Sequence, residues 1–243
     1  MSETLRILYE RRSVRAFEDR AIGGREREAI LRAAAEAPTA GNQQLYTIID
    51  ITDKEKRERL AVLCDNQPFI TRAALCLVFC ADCRKWYNAY LAAGAKPRAP
   101  GVGDLLLAVS DTNIAAENAV IAAETLGISS CYIGDVMERC EDMRALLSLP
   151  PYVFPAAMLV FGYAAESVRG REKPKRVDMR HILHENAYRD MDEGELREMW
   201  EERAGIKGFD AYIRAFCERK YNSDFSREMT RSVGAYLKDY TEK

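Results

Sequence analysis

The sequence predicts a compact α/β core followed by a helical C-terminal region, and three observations carry that expectation. Short apolar runs of strand length alternate with segments of helical period. One long segment is apolar around most of a helix. The C-terminal end instead carries helices with thin apolar stripes. In order, Glu3–Tyr9 reads as a short amphipathic helix running into Arg11-Arg12-Ser13-Val14-Arg15. After the turn at Gly23-Gly24, a helix from Arg25 to Glu36 places Ile30, Leu31, Ala34 and Ala35 at helical spacing, and Pro38 ends it. Thr39–Gln44 is a small-polar loop, Leu45–Ile51 a strand, and Asp53 caps a helix to Leu63. Ala74–Ala81 is a second strand. Pro97 and Pro100 then break the chain before the helix Asp104–Leu126, which Gly127 closes. Strand Ser129–Ile133, a helix Met137–Leu147 and strand Ala156–Tyr163 complete the core. Residues 165–178 are basic and irregular, and Asp192–Arg203, Phe209–Lys220 and Phe225–Tyr240 read as surface helices that must pack on the body or on a partner chain. Residues 1–190 are expected to form the core and 191–243 a helical extension of the same domain.

Lys plus Arg number 36 and Asp plus Glu 38, a net charge of −2. That balance argues against a nucleic-acid binder whose affinity comes from phosphate neutralisation. The N-terminal segment is charged throughout and does not read as a secretory signal. The apolar segment Asp104–Leu126 carries Asp104, Asp111, Asn113, Glu117, Asn118 and Glu124, too many polar groups for a bilayer span. A cytoplasmic protein with no membrane partner is expected, and its seven cysteines are read as reduced thiols. Cys76, Cys80 and Cys83 have the spacing of an iron–sulfur motif. Two of them fall in a strand-like apolar run, however, and would stand roughly 13 Å apart on one face. Core packing is the simpler reading, and with only His181 and His184 as histidines no zinc or other metal site is expected.

No Ser-His-Asp or Cys-His arrangement is readable. Gly101-Val-Gly103 opens a helix but lacks the third glycine and the preceding strand of a dinucleotide fingerprint. Three polar clusters stand out. Arg11, Arg12 and Arg15 bring three guanidiniums around Ser13, a set suited to phosphate, although a solvated helix end has the same composition. Pro38–Gln44 offers hydroxyl, amide and backbone groups for the edge of a polar heterocycle. Lys173-Pro174-Lys175-Arg176 is a second phosphate-capable patch, whose bland reading is a solvated loop.

Together these clusters resemble the nitroreductase family. The resemblance rests on Arg11-Arg-Ser-Val-Arg-Ala-Phe17, Ala37-Pro-Thr-Ala-Gly-Asn-Gln-Gln44, Tyr132-Ile-Gly-Asp135, Phe161-Gly-Tyr163, the Lys173–Arg176 stretch and His184-Glu-Asn186, in that order over residues 1–190. Within the family the chain is most similar to the NADPH-dependent oxygen-insensitive nitroreductases and flavin reductases. The resemblance implies an α+β fold with a mixed central sheet flanked by helices, a C-terminal helical extension packing on the dimer partner, and a homodimer holding FMN at the subunit interface. It implies an oxidoreductase that takes hydride from NADPH or NADH and passes it, by a ping-pong route, to a small-molecule acceptor: a nitroaromatic, a quinone or a flavin. A flavin-binding protein without turnover and a reductive dehalogenase are the alternatives. The chemistry would lie on the flavin, so no catalytic side chain is expected. Arg11, Ser13 and Arg15 correspond to phosphate and ribityl contacts, with Arg12 in the same motif. Thr39, Gly41 and Asn42, with Gln44 beside them, correspond to a loop that reaches the partner's flavin. Gln67 corresponds to a contact of the pyrimidine edge, Tyr132, Ile133 and Gly134 to the strand end passing the ring, and Lys173 or Lys175 with Arg176 to further cofactor contacts. Asp135 stands where close relatives often have glycine, and Arg219, Lys220, Arg227 and Arg231 loosely match a segment that binds the NADPH phosphate.

Overall fold

The computed structural model describes residues 1–241. Its elements, in chain order, are α1 (Glu3–Glu10), α2 (Gly24–Ala35), β1 (Tyr46–Asp50), α3 (Lys54–Leu63), α4 (Phe69–Arg72), β2 (Leu75–Asp82), α5 (Arg84–Ala92), α6 (Val102–Thr125), β3 (Ser129–Ile133), α7 (Cys140–Leu147), β4 (Val153–Gly162), α8 (Glu193–Ala204), α9 (Phe209–Lys220) and α10 (Asp224–Thr241). The fold is α+β, as the family resemblance implies. The strands run in the order β1-β2-β4-β3 and each pairing is antiparallel. Outside those strands, Ser13 and Ser130 form an isolated parallel bridge.

The sheet's two faces follow from the period of two along its strands. Cys76, Val78, Cys80, Cys131, Ile133, Met158 and Val160 point to one face and meet α3 and α7. Leu75, Leu77, Phe79, Leu159 and Phe161 point to the other and meet α2 and α6. Alanines 108, 115, 116, 119 and 123 form the buried stripe of α6, so that helix lies close against the sheet. It is long and apolar enough to cross a membrane by composition, but this stripe, with Asp111 and Thr112, is buried in the protein core. Leu106, Leu107 and Ile114 on the same helix remain exposed.

Four differences from the sequence reading have physical causes. β4 starts at Val153 rather than Ala156, because Pro155 sits where the β2 register shifts, and a bulge tolerates a residue with no N–H. The helix expected over Met137–Leu147 divides into a 3-10 turn, Gly134–Met137, and α7, because Arg139 between them is left-handed at φ 52°. Helices α4 and α5 were not expected. α5 buries no residue, and its Trp86, Tyr90 and Leu91 stay exposed. It is fixed by polar bonds instead, Asp82 accepting from Arg84 N at 3.0 Å and Lys85 N at 3.1 Å. The chain also divides elsewhere than at residue 190. One compact unit is Met1–Arg171 with the chain from Met229 onward, and the other is Glu172–Glu228. Residues before 190 join α8 through Lys175–Glu202, Arg180–Glu198 and Arg189–Glu195 pairs. The end of α10 returns to the first unit, where Tyr236 and Tyr240 are buried beside Phe154 and Leu105.

The cysteines behave as core residues. Six are buried, and burial pushes the Cys76, Cys80 and Cys83 thiols up to about 12. Among the described residues, no three His, Cys, Asp or Glu side chains converge as a metal site.

Candidate functional site

The Arg11–Phe17 segment runs extended beside β3. α1 ends as Arg11 N donates to Ile7 O at 2.8 Å, and Val14 N donates to Ser130 O at 2.9 Å. Val14 is buried, and alternation then turns Ser13 and Arg15 outward together. Ser13 stands beside the Cys131 thiol, and the Arg15 guanidinium stands 6.0 Å from the Phe69 ring centroid. Arg12 is used differently. It donates to Arg171 O at 2.7 Å and Val168 O at 2.6 Å, tying down the chain that follows β4. Arg11 is half-buried with Nε unpartnered, and it faces Glu124, whose carboxyl burial pushes above its ordinary value.

Two parts of the family-like pattern have packing reasons. A Cβ on Gly162 would lie 2.7 Å from Phe17 Cδ1, so the Phe161-Gly-Tyr163 run needs its glycine to admit Phe17. The bridge from Phe17 to Ala164 then fixes the end of the Arg11 segment.

Tyr132, Ile133 and Gly134 close β3 next to this segment. Ile133 is buried, Tyr132 donates to Glu117 Oε2 at 3.1 Å, and Gly134 is exposed. Gln67 reaches the same place from the loop after α3. Asp65 and Asn66 adopt left-handed backbone at φ 59° and 53°, and Gln67 Nε2 donates to Cys64 O at 2.8 Å and to the Asp135 carboxylate. Arg15, Gln67 and Tyr132–Asp135 thus lie toward the C-terminal end of β3, with Ser13 farther back along the strand beside Ser130.

Thr39, Gly41, Asn42 and Gln44 are not part of that group. Their loop leads into β1, the opposite edge strand, three inter-strand spacings or about 14 Å away. Its shape comes from Asp111, a buried carboxylate on α6 that sequence reading registered only as a polar interruption. Asp111 accepts from the Thr39 hydroxyl, from Ala40 N at 2.9 Å and from Leu45 N at 3.3 Å. Thr39 Oγ1 accepts in turn from Gln44 N at 2.8 Å. From α5, Trp86 Nε1 donates to Gln43 O at 2.8 Å and Lys85 Nζ to Tyr46 O at 2.6 Å. Gly41, Asn42 and Gln44 have φ of 57°, 55° and 50°, which leaves them exposed on a rigid projection.

Lys173, Lys175 and Arg176 belong to the second unit. Lys175 pairs with Glu202, and its carbonyl accepts from Arg203 at 2.8 Å. Arg176 is exposed beside a hollow of about 220 Å³ that it shares with Arg180 and His181. Of the C-terminal basic residues, Arg231 forks onto Glu141 at 3.0 and 2.8 Å, Arg219 lies over Phe216 and Lys220 over Phe225.

Comparison with known proteins adds to this geometry. The nitroreductase family model matches residues 8–163. The chain is 35% identical over 193 residues to an oxygen-insensitive NADPH nitroreductase of Salmonella typhimurium, covering 79% of this chain and 78% of that protein. It is 29% identical over 238 residues to an FMN reductase [NAD(P)H] of Bacillus subtilis, covering 97% and 91%. Among solved structures, NfrA1 of B. megaterium superposes with a TM-score of 0.81 at 28% identity, covering 97% of this chain and 98% of that one.

Proposed function

The chain belongs to the nitroreductase family, and from that premise we propose that it is an FMN-dependent oxidoreductase that draws on NADPH or NADH to reduce a small-molecule acceptor. The observation that carries the reading is the outward pairing of Ser13 and Arg15 along β3, the strand that leads into Gly134. This donor set fits FMN: a guanidinium and a hydroxyl for the phosphate end, a bare backbone edge at Gly134, and a primary amide for the pyrimidine edge. When bound, FMN supplies the ring that takes up and gives back hydride. The chain's own residues bind and orient it. Arg15 would neutralise the phosphate, the buried Val14 holds Arg15 and Ser13 in register, and exposed Gly134 places no side chain of its own there.

We further infer a homodimer. The Thr39–Gln44 projection lies on the sheet edge opposite the Ser13–Gln67 group, and a second copy can bring its projection to the first copy's site. Exposed Leu106, Leu107 and Ile114 on α6 give such a pair apolar surface to cover. Arg12, Thr39 and Lys175 act within the protein scaffold in this reading, and Arg231 is held by Glu141. No residue here directs the protein to a membrane or nucleic acid, and the cytoplasm is its proposed location.

The test is direct. Protein incubated with FMN and repurified retains flavin absorbance, NADPH bleaches it without oxygen, and light scattering gives twice the 27.5 kDa chain mass. Colourless protein overturns the FMN reading, and a flavin-loaded monomer overturns the dimer.

A further inference from the structure

Gln67 offers a ligand only its oxygen. One Nε2 hydrogen goes to Cys64 O at 2.8 Å and the other to the Asp135 carboxylate. Turning the amide over would set Oε1 against a carbonyl oxygen and a carboxylate, so these two acceptors fix which way it points. The backbone gives little room to evade them. Gln67 N is held by Ala61 O at 2.9 Å after two left-handed residues, and Asp135 sits in a 3-10 turn that Glu138 N closes on Asp135 O at 3.0 Å. A carboxylate behind the amide also polarises it and strengthens Oε1 as an acceptor.

We propose that Asp135 is a positioning residue for the cofactor, holding Gln67 as a pure acceptor for the flavin's N3–H and setting a fixed negative charge beside the ring. This rests on the FMN reading above. A flavin's pyrimidine edge presents carbonyl, N–H and carbonyl in turn, and only the central N–H complements an oxygen. The same charge opposes a further negative charge nearby, so it disfavours reduced FMN relative to oxidised FMN and makes the loaded protein a stronger reductant.

A double-mutant cycle on the FMN dissociation constant, read by fluorescence quenching at fixed salt, tests the coupling. Asp135→Ala and Gln67→Ala should each weaken binding about five- to tenfold, and the double variant should be no weaker than the worse single. Losses that multiply in the double variant would overturn the proposal. Asp135→Asn keeps an oxygen for Gln67 and the same shape, so it also guards against misfolding of the alanine form. It should bind oxidised FMN within about twofold of wild type while favouring reduced FMN by about tenfold, seen as a higher midpoint potential. An unchanged potential would overturn the charge assignment. Wild-type protein that binds no FMN would overturn the FMN reading and this inference together; wild type that binds FMN but shows an additive cycle overturns this inference alone.

Discussion

The Arg11–Arg15 segment and the Thr39–Gln44 loop are both short, polar and close to a sheet edge, yet the fold uses their polar groups in opposite ways. In the first, the backbone is anchored by Val14 while Ser13 and Arg15 turn outward. In the second, the Thr39 hydroxyl and the backbone of Ala40, Gln44 and Leu45 are drawn inward around Asp111. One segment presents side chains. The other presents a shape, and its side-chain chemistry serves to hold that shape. A polar residue can therefore meet a ligand only with the groups the scaffold leaves unengaged, and Arg12, donating to Arg171 O and Val168 O, beside an outward Arg15 shows both fates within one motif.

The largest effect should come from the carboxylate that organises the loop. Asp111→Ala removes three accepted hydrogen bonds and leaves the Ala40 and Leu45 N–H groups without their acceptor. We expect a loss of about 3–4 kcal/mol in FMN-free protein, a melting temperature lower by roughly 6–16 °C. Asp111→Asn, which keeps one acceptor oxygen, should fall between. If calorimetry finds Asp111→Ala as stable as wild type, the inward-facing account of this loop is wrong.

Arg15→Ala should do the reverse. FMN binding should weaken by about 2–4 kcal/mol, or roughly thirty- to a thousand-fold, because the phosphate loses a charge-assisted partner. Stability without FMN should change by less than about 0.5 kcal/mol, since Arg15 is exposed. Arg25→Ala, on α2, should leave the affinity untouched. Equal FMN affinities for wild type and Arg15→Ala at fixed salt would erase the contrast between the two segments.

That contrast also marks what the sequence could disclose. Strands β2 and β4 were readable because their apolar runs are buried on both faces, Glu3–Glu10 and Gly24–Ala35 because their apolar positions recur at helical spacing, and α6 because it is apolar around most of its circumference between chain breakers. α5 was not, because it buries nothing and depends on Asp82, Trp86 and Lys85 bonding to other segments. Motif order drew attention to Ser13, Arg15, Gln67 and Gly134, which the fold gathers at β3. It gave no sign that Arg12 is occupied by the chain after β4, or that Asp111 and Asp135 organise residues 72 and 68 positions away. Such pairings leave no local period. They arise only once the sheet has brought distant loops together, and a single sequence carries no record of that distance.

The smallest effect sharpens the distinction at the C-terminal end, where Arg231 matches a nucleotide-phosphate contact by composition but is forked onto Glu141. That hydrogen-bonded guanidinium is the first cause holding the Glu141 carboxyl at about 2, below its ordinary 4.5. A depressed carboxyl pKa contributes stability that is present in full above about pH 4.5 and is lost as pH falls through about 2. Both side chains are largely exposed, so solvent and salt screen the pair and its worth is about 0.5 kcal/mol. Arg231→Ala should therefore lower the melting temperature at pH 7 by roughly one or two degrees, with the difference shrinking toward pH 2 and in high salt. The KM for NADPH should not move, because the guanidinium is already occupied. A several-fold rise in that KM with no change in stability would show that Arg231 leaves Glu141 for the nucleotide, and would place it with Arg15 among the outward-facing residues.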